Sequence, residues 1–434
     1  MKKLFVLLTA ISGIWMVNAS ASTNSQYLTK PTGNFKVSVV QHSLVNTTIC
    51  PDYFYQESHA WFYSNIANSG HCHQLNLAIY YPTNSRSTDY ISYYRNDISQ
   101  IKLDIKNQII ESNNVAYANK YIKQESLLKS YVLTSDKIVN QKFPLIIFSP
   151  GMGVNSNSYQ NFIINLVSHG YIVATIDSAY NQQLFDATNN QFLNTSPTSF
   201  ESGISTIWQP KSNLDLATSD FNFVLAALEV NSIHDPVSKH IDFDKIGGLG
   251  HSLGARVIYN QARNHNTQLK AAVALEIGRD KTLLQNKTVP IPFMFMNAAN
   301  LATSDMAYFN AKSNFELTTN NFLVKMTPNE SDTTYSAHMT FSDYSTLRYA
   351  RKLNELYNLS YNQKFNESDF NQWYGTANGY SFTDNVNSYL VSFFDYYLKN
   401  KPVKTFTECQ PLDKSSLIYC GTNNNINKTT LTKK

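Results

Sequence analysis

The sequence lacks any block of one charge. Its 35 lysines and arginines stand against 31 aspartates and glutamates, a formal charge of +4, and the basic residues never gather into a tail or stripe. A nucleic-acid partner needs such a footprint, so none is expected. Beyond residue 21 no apolar run is long enough to cross a bilayer, which excludes spanning helices from the expectation. Neither an internal repeat nor a linker rich in proline, glycine or serine divides the chain. Cysteine is confined to four positions, Cys50, Cys72, Cys409 and Cys420, and glycine to 15. The hydrophobic share of 42% excludes a disordered polymer and is enough for a large core.

The chain opens with the features of a secretory signal. Lys2 and Lys3 precede an apolar run from Leu4 to Val17, and Ala19-Ser20-Ala21 supplies small residues for cleavage after Ala21. That run falls short of the roughly 20 residues of a membrane anchor. Cleavage would leave 413 residues with 33 basic and 31 acidic side chains, in the periplasm or outside the cell. In an oxidising compartment the four cysteines would pair, and the sequence-local pattern joins Cys50 with Cys72 and Cys409 with Cys420. A bridge joining the two ends is the alternative. A metal set of Cys50, His71, Cys72 and His73 matches no usual zinc spacing, so no metal is expected.

Periodicity points to a doubly wound α/β domain. LNLAIYYP (Leu75 to Pro82) alternates as a strand does, and FPLIIFS (Phe143 to Ser149) is an unbroken apolar run fit for a buried strand. Helical spacing follows through Tyr159, Phe162, Ile163, Leu166 and Val167 to a stop at Gly170, then a second buried strand, Tyr171 to Asp177. Strand, helix, strand at this spacing forms a right-handed crossover in a parallel sheet. Ser178 to Pro210 is a polar excursion. A helix over Ser219 to Val230, with Ser219 and Asp220 as caps, resumes the pattern, and strands follow at Lys245 to Gly250, Lys270 to Leu275, Ile291 to Asn297 and Asn321 to Pro328. A helix over Val386 to Lys401 closes it. One domain over residues 22–434 is expected, with a core from about 75 to 401, an N-terminal extension over 22–74 and a tail over 402–434.

The scarce glycines mark the chemistry. Six of the 15 fall at Gly151, Gly153, Gly247, Gly248, Gly250 and Gly254, in two short stretches at strand ends. The second contains GHSLG, a G-x-S-x-G match between a predicted strand and a predicted helix, the setting in which a sharp turn lifts a serine hydroxyl above the sheet. Ser252 is therefore the candidate nucleophile, and no cysteine lies nearby to act instead. A serine needs a base, and on this architecture an acid and then a histidine follow in the chain. Beyond Ser252 there are two histidines. His265, 13 residues along the departing helix, would sit roughly 20 Å from the turn, leaving His338 as the candidate base. Glu276, immediately after one strand, and Asp305, eight residues after another, are the main candidates for the acid. The N–H groups of Met152, in the first glycine loop, and of Leu253, just after the serine, could hold an oxyanion.

FPLIIFSPGMG, GHSLGA, VALE and SAHMTFSDY resemble the corresponding blocks of the plasma-type platelet-activating-factor acetylhydrolases, a lipase-like branch of the α/β-hydrolases. The resemblance runs from about Leu75 to Lys401, and more faintly back to Pro31 to Val40. It implies an α/β-hydrolase fold, a secreted esterase with neither metal nor organic cofactor, and an acyl-enzyme formed on Ser252. It places the acid at Glu276 and the histidine at His338, ahead of Phe341 and Asp343. Phospholipids with a short or oxidised sn-2 chain, or generic short-chain esters, are the implied substrates. Two features depart from the family. Glutamate stands where aspartate is usual, which keeps Asp305 and Asp280 open. Pro150 replaces the histidine common before the oxyanion glycine, as in some bacterial cutinase-like esterases. A polyester hydrolase, a lipase, a peptidase and a non-catalytic hydrolase-like binding module are the competing readings. The aromatic stretch Asp52 to Tyr63, around Trp61, is open to core packing or to contact with a lipid surface.

Overall fold

The computed structural model describes residues 27–47, 49, 72–93, 128–135, 137–179, 181–182, 184–186, 191–193, 213–264, 267–277, 289–298, 320–326, 334–348, 367–412 and 416–420. The expected signal segment Met1 to Ala21, the aromatic stretch around Trp61, and Cys50, His71, His265, Asp280 and Asp305 lie outside the described residues. Elements run in the order β1 (Lys36–Asn46), β2 (His73–Thr83), β3 (Tyr90–Ser92), β4 (Lys129–Leu133), β5 (Phe143–Ser149), α1 (Gln160–Ser168), β6 (Ile172–Ser178), β7 (Leu184–Asp186), β8 (Gln191–Leu193) and α2 (Asn213–Glu229). There follow β9 (Ile241–His251), α3 (Leu253–Arg263), β10 (Leu269–Leu275), β11 (Phe293–Asn297), β12 (Asn321–Met326), α4 (Tyr344–Leu347), α5 (Glu367–Tyr374), α6 (Gly379–Lys399), α7 (Lys404–Thr407) and β13 (Ser416–Cys420).

An 11-stranded sheet has the order β13-β12-β11-β10-β9-β5-β6-β2-β1-β4-β3. Its middle, β12 through β6, is parallel, and β2 and β13 border it in antiparallel register. Every residue of β5 and β6 is buried, as befits strands rich in apolar residues with helices on both faces. Alternation decides which side chain goes where. Ile146 and Phe148 face the layer of α1 and α6, packed with Phe162, Leu166, Phe393 and Phe394, whereas Leu145 and Ile147 face the layer of α2 and α3, packed with Phe221, Val224, Val257 and Ile258. Each such side chain withdrawn from water contributes about 1.5–3 kcal/mol, and the two layers hold the strand ends that carry the site at fixed spacing.

Helix limits depart from the sequence reading at two places. The helix expected over Ser219 to Val230 starts at Asn213, so Ser219 and Asp220 lie inside it and cap nothing. Leu214, Leu216 and Ala217 extend the apolar periodicity backwards, and a mid-helix aspartate is tolerated because Asp220 bonds the buried His73 Nε2 at 3.0 Å. The last long helix begins at Gly379, seven residues before Val386, where the Asn378 side chain accepts from the Tyr380 and Ser381 amides. Within the polar region before Phe143, β3 and β4 are short and lie at the sheet edge. At the two ends, β1 pairs along its whole length with β2, and β13 pairs with β12.

Cys409 and Cys420 form a disulfide, the sequence-local pairing, which fastens β13 to the chain leaving α7. Cys72 is also disulfide-bonded. That disulfide removes the Cys72 thiolate from the rejected metal set. Among the described residues no helix is long and apolar enough to cross a membrane.

Candidate active site

Four segments, each following a parallel strand, build the site. At the first, β9 ends on His251 and α3 begins at Leu253, so Ser252 must reverse the chain alone. It does so at φ 54° and ψ −113°, a conformation that strains a residue with a side chain by roughly 1–3 kcal/mol. The flanking glycines make this turn possible. A Cβ on Gly250 would lie 2.3 Å from the Gly254 carbonyl oxygen, and one on Gly254 would lie 1.9 Å from that of Ser149. The Ser252 amide donates to Leu275 O at 3.0 Å, tying the turn to β10.

Glu276 follows β10 directly and is the second strained residue, with φ 45°. Its amide donates to Met296 O at 2.9 Å. The carboxylate is buried, with Oε1 accepting from the Ala298 amide and Oε2 lying 3.6 Å from His338 Nδ1. Two strained residues at adjacent strand ends are a mark of a functional position, because the surrounding fold must stabilise both.

His338 opens a short 3-10 turn, His338–Phe341. Its ring lies 4.6 Å, centroid to centroid, from the ring of His251, the residue directly before Ser252. Trp373, 56% exposed, meets it edge-on at 6.1 Å. The loop that carries His338 is anchored downstream. Phe341 is buried against Phe382, and Asp343 accepts from Tyr93 Oη at 2.9 Å and from the amides of Gln160 and Asn161 at 2.8 and 2.9 Å. These amides stand at the start of α1, where the helix itself offers no acceptor and a carboxylate is favoured. Burial nevertheless raises the Asp343 carboxyl to about 7, against the lowering effect of those hydrogen bonds.

The fourth segment is the loop after β5. Gly153 N donates to Asn181 O at 2.7 Å, and Gly151 N donates to Tyr159 Oη at 3.2 Å, so the Met152 amide lies between two committed neighbours. This loop lies directly against the serine, since a Cβ on Gly151 would come within 3.4 Å of Ser252 Cβ. Leu253, the first residue of α3, has no intrahelical acceptor for its amide.

The structure therefore brings Ser252, Glu276, His338, Met152 and Leu253 to one rim. Sequence reasoning did not find Tyr159, whose helical spacing marks it as core, nor the hydrogen bonds of His251, which the GHSLG motif contains without assigning a task. Trp373 had no signal at all.

The family described as platelet-activating factor acetylhydrolase, isoform II, matches residues 68–195, from the approach to β2 through β8. A platelet-activating factor acetylhydrolase of Cavia porcellus is 23% identical over 36% of this chain, and the match spans 40% of that protein. The chain resembles the platelet-activating factor acetylhydrolases. The matched residues include the loop after β5 but end before Ser252, Glu276 and His338. A ferulic acid esterase from Streptomyces cinnamoneus superposes with a TM-score of 0.61 and 17% identity, covering 91% of this chain and 99% of the esterase. Together with the strand order, that likeness gives the α/β-hydrolase fold expected from the resemblance.

Proposed function

We propose that the chain is an exported serine esterase that cleaves carboxylic esters through an acyl-enzyme. The observation that carries this reading is the convergence of a strained serine, a buried carboxylate and a partly exposed imidazole 3.6 Å from that carboxylate, at the ends of neighbouring strands and the loop beyond. Glu276 faces His338 Nδ1, which leaves Nε2 to take the Ser252 proton as Oγ attacks the ester carbonyl. The negative oxygen of the tetrahedral adduct is received by the Met152 and Leu253 amides. The adduct collapses when His338 returns the proton to the leaving alcohol. Water, activated by the same imidazole, then releases the acid. The carboxylate of Glu276 holds the ring and stabilises the imidazolium.

The acetylhydrolase resemblance supports phospholipids with a short or oxidised sn-2 chain, with simple short-chain esters beside them. The signal-like segment Met1 to Ala21 and the paired cysteines fit an exported protein. A panel of p-nitrophenyl esters of rising acyl length, set against phospholipids with sn-2 acetyl and sn-2 palmitoyl chains, tests the assignment. Turnover is expected to fall steeply with acyl length and to vanish in S252A. No hydrolysis of any member would leave the non-catalytic module as the reading.

A further inference from the structure

We propose that Tyr159 and His251 form a positioning relay that locks the loop after β5 to the backbone of His338, setting the oxyanion donor and the general base in register with each other. This rests on the esterase reading above. Four groups form an unbroken chain. Gly151 N donates to Tyr159 Oη at 3.2 Å, Tyr159 Oη lies 2.8 Å from His251 Nδ1, and His251 Nε2 lies 3.0 Å from the backbone oxygen of His338.

Proton bookkeeping fixes every direction in that chain. A carbonyl oxygen only accepts, so Nε2 of His251 carries the hydrogen that reaches His338. Burial holds the His251 imidazole neutral, pushing its pKa well below the usual histidine value, with the His338 imidazole beside it acting in the same sense. Nδ1 is therefore bare and accepts from the Tyr159 hydroxyl. The tyrosine oxygen, having given its hydrogen away, uses a lone pair for the Gly151 amide. Burial also raises Tyr159, which keeps its proton in place. Each donor has one acceptor, the two joints at Tyr159 are buried, and the one at the His338 carbonyl is partly so.

The consequence is geometric. With the Gly151 amide turned inward to Tyr159, the next peptide along, that of Met152, is the one left for the oxyanion. The same imidazole that accepts from Tyr159 also holds the residue that must deprotonate Ser252, and its ring lies 4.6 Å from that residue's ring. Packing leaves the relay no slack. A Cβ on Gly151 would come within 3.1 Å of both His251 Nδ1 and Tyr159 Oη, and Tyr159 rests on Phe148 of β5 at 4.9 Å. Two loops separated by more than 180 residues of sequence are thus coupled through two side chains that never touch substrate.

The test uses Y159F, H251Q, H251N and the double variant Y159F/H251Q, each assayed for kcat and KM on p-nitrophenyl acetate, with thermal melting as the folding control. Glutamine can keep the donor to His338 O and loses the acceptor for Tyr159, whereas asparagine does the reverse. Y159F should lower kcat about tenfold with KM within threefold, and H251Q should retain more activity than H251N. In the H251Q background the cost of Y159F should shrink to less than twofold, because the contact it removes is already gone. Fully additive losses, a change confined to KM, or wild-type kcat in Y159F would overturn the relay. If H251N does not fold, the Y159F and H251Q cycle still decides. A wild-type protein with no esterase activity overturns the reading on which the relay rests, and is distinguishable from an active wild type with indifferent variants.

Discussion

Replacing Glu276 by glutamine removes a charge while keeping the side chain's shape, so it isolates what the carboxylate does for the imidazolium. At the observed 3.6 Å and an effective dielectric of about 20, the attraction between the two charges is about 4.6 kcal/mol. The imidazole is 24% exposed, so water screens part of this, leaving about 3 kcal/mol, or roughly two decades in rate. The interaction exists only once His338 has taken the serine proton, so it belongs to the transition state and not to substrate binding. E276Q should therefore lower kcat on p-nitrophenyl acetate about 100-fold, with KM within threefold. E276A should be worse, because the Ala298 amide also loses its acceptor. D305A, assayed beside them, should stay within threefold of wild type. A loss of less than fivefold in E276Q together with a large loss in D305A would move the acid to Asp305.

Two further predictions probe the supports of the site. G254A should fail to fold or melt several degrees lower, since its Cβ would fall 1.9 Å from one backbone oxygen and 2.7 Å from another, and calorimetry showing an unchanged melting temperature would contradict the packing described. Asp343 supplies the pH dependence. With a folded value near 7 and an ordinary value of 3.8, it holds its proton in the folded chain alone between those limits, so its contribution to stability is largest at the acid end and falls as pH rises to 7. The melting-temperature difference of D343N from wild type should accordingly shift in the variant's favour from pH 5 to pH 8, and a shift the other way would refute the sign.

Elements with both faces covered were legible in the sequence, and the reason is physical. Phe143 to Ser149 is buried at every position and apolar through Phe148, so its limits agree with the strand observed. The edge strand Tyr90–Ser92 and its short neighbour Lys129–Leu133 lack such a run and dissolve into polar sequence. The limits of the long helices slipped for a related cause. A buried aspartate with a histidine partner, Asp220 with His73, looks from sequence like an exposed cap. In the site, chain order and elimination reach Ser252 and His338, because so few residues of the required type lie beyond the motif. The choice of Glu276 over Asp305 needed the family resemblance as well, since several carboxylates stand in the interval. Tyr159, His251 and Asp343 act through partners far off in sequence, as with the 182 residues between Asn161 and Asp343, and no local pattern reports such a contact.

The central claim is that Ser252 becomes covalently bonded during turnover. Treatment with a fluorophosphonate, followed by digestion and mass mapping, should place one phosphonyl adduct on the peptide that contains Ser252, with labelling lost in S252A and slowed in H338A. An adduct on another residue, or undiminished labelling of S252A, would contradict the account.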